Sequence, residues 1–215
     1  MNAPGMVDVA KIEQRIAAVE RTTGAQVVVA IVGRSDLYPE LKWRAFALGV
    51  ALAALAVVVL DLGQRSWIAM HGGLVSSAIV LATGAVCWLA VHYIDAVARL
   101  FLRPGRARAE VRQHAEVLFL SRELFATPQR RAILLMASRF ERRLVIVPDV
   151  AYRGKIGHAE WEGVIAATAP GLRGGDAGAA FLDGLAALET LLLGKGFTGP
   201  GDKSIEDAFL HGEDA

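Results

Sequence analysis

The sequence predicts an α/β fold, specifically a small α/β/α sandwich that is interrupted by a two-helix transmembrane hairpin. Three observations predict it. Two long uncharged apolar stretches lie in the first half of the chain. Short β-branched runs occur before and after them, and segments with helical spacing of apolar residues surround these runs. Strands that are apolar on both faces need helices on both sides of the sheet, which gives three layers.

The composition indicates that part of the chain lies in an apolar environment. Of 215 residues, 54% are hydrophobic and 21% are charged, with a mean hydropathy of +0.41. An average soluble domain has about 45–50% apolar and about 25% charged residues. These values also exclude the disordered and collagen-like classes. Because the net charge is only +1, we expect no nucleic-acid partner.

Two elements are predicted before the hairpin. Residues 8–23 form an amphipathic helix, since apolar residues recur three or four positions apart and Gly24 follows as a stop signal. Residues 25–32 read AQVVVAIV, which predicts a buried strand that is broken at 33–36.

The apolar stretches predict two spans. Residues 45–60 carry no charge and cover about 24 Å of a hydrocarbon core about 30 Å thick. Basic and aromatic side chains just before them can extend the span to the interface. The second uncharged stretch, 66–94, predicts a span over 74–93, and the short loop 61–66 makes the pair a hairpin.

Basic residues predict the orientation. One of them, Arg65, lies between the spans, whereas eight flank the hairpin: Arg34, Lys42, Arg44, Arg99, Arg103, Arg106, Arg108 and Arg112. By the positive-inside rule, we expect both termini and the soluble domain to be cytoplasmic. The lone Cys87 excludes an internal disulfide and fits a reducing compartment.

Five elements are predicted after the hairpin. A helix covers 106–125, strands 132–137 and 144–147 pair as a β-hairpin, and two helices cover 158–169 and 176–193. The domain organisation is therefore a first part of the domain, a transmembrane hairpin, a second part and a loose tail. Their limits are 1–41, 42–98, 99–196 and 197–215.

Motif searches assign no catalytic residue, since the five histidines lack ligand spacing and no nucleophile elbow or phosphate loop occurs. Asp36 and Asp149 each follow a predicted strand. If the first and third strands run parallel, both carboxylates lie at one sheet edge, where Ca²⁺ or Mg²⁺ would find oxygen ligands. The alternative is that both are turn or capping residues.

Five arginines lie close together in sequence. Two functional interpretations are an anionic ligand and the anionic lipid surface; the alternative is a solvated face in which Glu141 pairs with an arginine. The residues are Arg130, Arg131, Arg139, Arg142 and Arg143.

Several segments, in order, resemble the TPM domain family, in particular its bacterial membrane-embedded branch. They begin at Ile16-Ala-Ala-Val-Glu, Asp36-Leu-Tyr and Thr127-Pro-Gln-Arg, and continue through Val147-Pro-Asp to Phe181-Leu-Asp-Gly. The resemblance implies an α/β/α sandwich, divalent-cation binding in some members, and plant relatives linked to photosystem II repair and acid phosphatase activity.

Carried over by position, Asp36 and Asp149 match acidic positions of the family, whereas Gln26 replaces an acidic residue and the family's usual C-terminal ending is missing. The strand-end carboxylates and the resemblance together suggest a binding, assembly or membrane-protein quality-control role for a domain that the hairpin anchors in the lipid bilayer. The bacterial branch that the chain resembles makes this bilayer the bacterial inner membrane. Its partner would be an unidentified membrane protein. The alternative is a cation-dependent, acid-phosphatase-like hydrolase.

Overall fold

The computed structural model describes residues 9–64, 67–174, 176–199 and 209–211. The chain forms two compact units. Met1–Ser35 together with Ala107–Ala215 make one, called the α/β unit below, and Asp36–Arg106 make the other, called the hairpin unit. Within the hairpin unit, Arg106, which follows the spans, forms ion pairs with Asp36 and Glu40, which precede or begin the first of them.

The described chain contains seven α-helices and four strands. The helices are α1 Val9–Thr23, α2 Pro39–Gln64, α3 Trp67–Tyr93, α4 Asp95–Leu100, α5 Pro104–Ser121, α6 His158–Gly174 and α7 Ala177–Gly194. The strands are β1 Gln26–Val32, β2 Ala132–Ser138, β3 Arg143–Pro148 and β4 Phe209–His211.

The α/β unit is built on one mixed sheet with the strand order β3-β2-β1-β4. β1 runs parallel to β2 and to β4, and β2 runs antiparallel to β3. The predicted pairing of the second and third strands as a β-hairpin is therefore confirmed. All seven residues of β1 and of β2 are buried, as expected for strands with a neighbour on either side.

Helices cover both faces of this sheet. Side chains alternate along a strand, so Val27, Val29 and Ile31 join one core with α1, α6 and α7. Val28, Ala30 and Val32 point to the opposite face and join a second core with α5. The coarse prediction of a mixed α/β fold is confirmed.

The sequence prediction fails at the end of the chain. Residues 197–215 were predicted to be loose, yet Phe197 is buried and β4 pairs with Val29–Ile31 of β1. A strand of three residues is too short to show an alternating apolar pattern in the sequence. Its extended conformation is set by its hydrogen-bonded pairing with β1. The rest of that predicted tail, residues 200–208 and 212–215, lies outside the described residues.

The hairpin unit contains two helices that are long and apolar enough to cross a membrane. The candidate spans are Pro39–Gly63, with mean hydropathy 2.5, and Gly72–Tyr93, with mean hydropathy 2.2. Only 11% and 17% of their apolar windows are buried. Gly72 has φ 73° and ψ 145°, so the helical path is broken there, close to the predicted start of the second span.

Two glycines allow α2 and α3 to approach closely. A Cβ on Gly84 would lie 2.6 Å from Cγ2 of Val50 and 2.9 Å from Cε2 of Phe46. A Cβ on Gly49 would lie 2.7 Å from Sγ of Cys87. Small residues at a helix–helix interface are typical of helix pairs in lipid, where backbone proximity replaces hydrophobic burial.

Candidate functional site

An ion pair between Asp149 and Arg130 marks the sheet edge where β2 begins. Arg130 donates from Nε to Oδ2 of Asp149 at 2.8 Å and from Nη2 to Oδ1 at 2.9 Å. The Asp149 side chain is only 4% exposed, whereas that of Arg130 is 49% exposed. The hydrogen bond to Asp149 raises the pKa of Arg130 above its ordinary value. The pair is therefore bidentate.

Local backbone geometry fixes this pair. Arg130 has φ 53°, in the left-handed region, and its N–H donates to the carbonyl of Thr127 at 3.0 Å. Asp149 donates its own N–H to the Ala132 carbonyl at 2.9 Å, and its Oδ1 accepts from the N–H of Val150 at 2.6 Å. Asp149 therefore caps the 3₁₀ turn Val150–Tyr152. These are the contacts of a capping residue.

A buried aromatic cluster lies beside the pair. Tyr152 is 1% exposed and donates from its hydroxyl to the Arg131 carbonyl at 2.9 Å. Its ring lies 6.0 Å from that of Trp161 and 4.9 Å from that of Phe197. Burial raises the pKa of Tyr152 far above its ordinary value, so the hydroxyl stays a neutral donor.

A shallow recess of about 190 Å³, which includes solvent at its mouth, opens next to this cluster. The residues that line it are Gly24, Gln26, Thr127, Pro128, Gln129 and Arg131. Oγ1 of Thr127 is buried with no hydrogen-bond partner in the part of the chain that the structure describes. Gly24 has φ 69°, and a Cβ there would lie 3.0 Å from the Gly199 carbonyl oxygen, so the recess requires glycine at this position. A guanidinium, amides and a hydroxyl suit a small hydrogen-bond acceptor.

The second predicted carboxylate, Asp36, belongs to the hairpin unit. Its Oδ2 accepts from Nη2 of Arg106 at 3.3 Å, and its Oδ1 accepts from the N–H of Leu37 at 2.7 Å. The same guanidinium pairs through Nη1 with Oε1 of Glu40 at 3.0 Å. Asp36 and Asp149 are thus each engaged by an arginine, with which any cation would compete.

Asp36 and Asp149 were predicted to share one end of the sheet if the first and third strands ran parallel. That arrangement is wrong, since these strands run in opposite directions. β1 is parallel to β2 and β2 is antiparallel to β3, so Asp149 stands where β1 and β2 begin. Asp36 follows the other end of β1. Within residues 9–64, 67–174, 176–199 and 209–211, no group of three or more His, Cys, Asp or Glu side chains could hold a metal. Binding of Ca²⁺ or Mg²⁺ stays a prediction.

The five predicted arginines do not form one patch. Arg130 and Arg131 precede β2, whereas Arg139, Arg142 and Arg143 follow it. A seven-residue strand is about 23 Å long, so the two groups lie at opposite ends of the sheet. Sequence proximity was misleading because the strand between them is fully extended. Contact of either group with an anionic surface stays a prediction.

A buried carboxylate network, which was not predicted from the sequence, lies at the other end of β2. Glu141 is 8% exposed and accepts hydrogen bonds from the Ser138 hydroxyl and, at 3.1 Å, from the N–H of Ser35. The guanidinium of Arg34 lies 3.9 Å from the ring centre of Phe140. The sequence did offer one signal for this contact. Ser138 and Glu141 have the spacing Ser-x-x-Glu, which allows the two side chains to meet within one turn.

The comparisons bear on the fold. No family model matches the chain, and no curated protein matches it. The solved NMR structure of the BA42 protein from the psychrophilic bacterium Bizionia argentinensis is similar, with a TM-score of 0.55 and 10% sequence identity. The match covers 98% of this chain and 99% of that chain. At this identity the likeness concerns the fold alone, and it supports the mixed α/β architecture.

Proposed function

We propose that this chain is a membrane-anchored, TPM-like α/β/α domain with a binding, assembly or membrane-protein quality-control role. The observation that carries the proposal is the outward apolar surface of the hairpin unit. Leu52, Leu55, Val58 and Val59 on α2 are each more than half exposed, as are Leu74, Leu81 and Val86 on α3. Exposed apolar surface of this extent is costly in water and stable in lipid.

The interior of the hairpin unit supports the same environment. The close approach at Gly49 and Gly84 gives van der Waals contact between α2 and α3 while their outer surfaces remain apolar. The Thr83 hydroxyl donates to the Ile79 carbonyl at 2.8 Å, which satisfies a polar side chain within the span. The hairpin is therefore suited to act as an anchor.

Binding is favoured over catalysis in the α/β unit because its buried ionisable groups already serve structural contacts. Asp149 is engaged by Arg130, and the Tyr152 hydroxyl is engaged by the Arg131 carbonyl. The distribution of basic residues around the hairpin supports a cytoplasmic position for this unit. The proposed partner is a membrane protein, since the anchor confines encounters to the membrane.

Alkaline carbonate extraction of membranes that contain the full chain tests the anchor. We expect the protein to stay in the membrane pellet, because the spans are in contact with lipid. Release into the supernatant would overturn the proposed anchor.

Affinity purification of the full chain from detergent-solubilised membranes tests the assembly role. A membrane protein is expected to co-purify in stoichiometric amount. Purification of the chain alone, under conditions that keep other membrane complexes intact, would argue against that role.

A further inference from the structure

One end of the hairpin unit gathers aromatic and basic side chains. The start of α2 lies beside the end of α3, since Nζ of Lys42 is 5.5 Å from the ring centre of Trp88. The His92 ring stacks on Trp88 at a centroid distance of 5.4 Å, and the Tyr93 ring lies 4.6 Å from His92. Trp43, on α2, is 65% exposed. Such aromatic rings mark the level of the membrane–water interface.

The segment after α3 returns to this same end. Arg44 donates from Nη1 to the Phe101 carbonyl at 3.4 Å, which joins the start of α2 to the residues after α4. Arg106 pairs with Asp36 and with Glu40. Basic residues from both ends of the unit's sequence are thus brought together.

The basic side chains of this end differ in their partners. Two carboxylates neutralise Arg106. Lys42 faces the Trp88 ring, and Arg99 donates from Nε to the Asp95 carbonyl at 3.2 Å. Among the residues described, no carboxylate lies within ion-pair distance of Lys42, Arg44, Arg99 or Arg103. Four cations are therefore available to an external anion.

The exposed neighbours of these cations are apolar. Ile94, just before α4, and Leu100, its last residue, are 49% and 82% exposed, and Tyr93 is 77% exposed. A soluble anion would contact only the basic side chains. A phospholipid would contact both groups at once, with its phosphate on the basic side chains and its acyl chains on the apolar ones.

We propose that Lys42, Arg44, Arg99 and Arg103 form a headgroup site for anionic phospholipids. This inference rests on the proposed membrane anchor and names the lipid class that the anchor selects. The site attracts anions because five basic and three acidic side chains lie at this end, whereas the sequence that connects the two spans, 61–66, contains one of each. Lipid recognition, first predicted for the arginines around β2, is thereby assigned to a different set.

The test uses the full chain reconstituted in vesicles of phosphatidylcholine mixed with phosphatidylglycerol. After detergent extraction, mass spectrometry measures the ratio of the two lipids that stay with the protein, relative to the bulk ratio. We expect phosphatidylglycerol enrichment in the wild type. In the double variant Lys42→Gln/Arg99→Gln, the phosphatidylglycerol enrichment is expected to fall about fivefold for each cation removed.

A matched control is Arg108→Gln/Arg153→Gln, which removes the same charge from two exposed positions of the α/β unit. It is expected to keep the enrichment. The charge-preserving variant Lys42→Arg/Arg99→Lys is also expected to keep it, which separates loss of charge from loss of folding.

Four results would overturn the inference: equal retention of both lipids by the wild type, equal loss in the control pair, no loss in Lys42→Gln/Arg99→Gln, or displacement of the lipid by inorganic phosphate. The last result would identify a general phosphate site. Carbonate extraction distinguishes the two proposals, because a protein that stays in the pellet without phosphatidylglycerol enrichment keeps its anchor and refutes only the headgroup site.

Discussion

A single arginine placed on the outward surface of α2 separates a membrane helix from a water-exposed one. Leu52 lies one residue past the midpoint of the candidate span Pro39–Gly63 and is 57% exposed. Leu120, on α5 of the α/β unit, is 62% exposed. The substitutions Leu52→Arg and Leu120→Arg therefore change the same side chain at almost equal exposure, the first in the proposed lipid environment and the second in water.

The expected difference follows from the cost of a charge in the bilayer. At a helix centre, leucine favours insertion by about 0.5 kcal/mol and arginine opposes it by about 2.5–3.5 kcal/mol. Leu52→Arg should therefore disfavour insertion of α2 by about 3–4 kcal/mol, which is roughly 150- to 900-fold in the equilibrium. An exposed substitution in water changes stability by no more than about 0.5 kcal/mol. Leu120→Arg should thus leave insertion unchanged.

Glycosylation acceptor sites engineered before and after α2 measure insertion during translation with microsomes. The ratio of the two glycosylation patterns gives the fraction of chains in which α2 spans the membrane. We expect this fraction to fall for Leu52→Arg and to equal the wild-type value for Leu120→Arg. Equal insertion of all three proteins would show that α2 does not span the membrane, because a helix surface in water is insensitive to this change.

Three further outcomes are expected. Gly84→Val should destabilise the helix pair by about 1–3 kcal/mol in detergent unfolding, since its Cβ meets α2, whereas Gly73→Val, with open space around it, should not; equal effects would contradict this packing. Tyr152→Phe should lower the free energy of unfolding by about 1 kcal/mol in urea titrations of the full chain in detergent, and an unchanged midpoint would contradict the hydroxyl contact. Hydrogen bonding by Lys195 lowers the pKa of Glu160 in the folded protein. The contact between the two side chains therefore stabilises the fold above pH 4.5, and this stabilisation is lost as the pH falls through the pKa that Glu160 has in the folded state. Melting temperatures of wild type and Glu160→Gln should accordingly differ near neutrality and converge at low pH; a difference that persists in acid would contradict the assignment.

Elements with a strong period could be predicted from the sequence. Ile12, Ile16 and Val19 recur at helical spacing, and each is buried on α1 as expected. The continuous apolar runs of β1 and β2 indicated buried strands for the same reason. The predicted helix 106–125 ended too late, since α5 stops at Ser121 and Glu123 adopts φ 50°. That turn has no proline or glycine that would signal it.

The arrangement of the candidate site could not be predicted because it depends on strand direction. The residues between β1 and β2 include a whole compact unit, so their length permits either direction for β2 relative to β1. As the antiparallel partner of β2, β3 carries Asp149 back to the end of the sheet where β2 starts. Because β2 runs parallel to β1, β1 also starts at that end. The contact between Asp149 and Arg130 follows from that register, which neither residue indicates in the sequence.

Labelling of single cysteines with a membrane-impermeant maleimide tests whether the hairpin crosses a bilayer with both flanking segments on one side. In a Cys87→Ser background, Gly63→Cys reports the connection between the spans and Arg153→Cys reports the α/β unit. We expect Gly63→Cys to be labelled in intact cells and Arg153→Cys to react only after permeabilisation. Labelling of both positions in intact cells, or of neither, would contradict it.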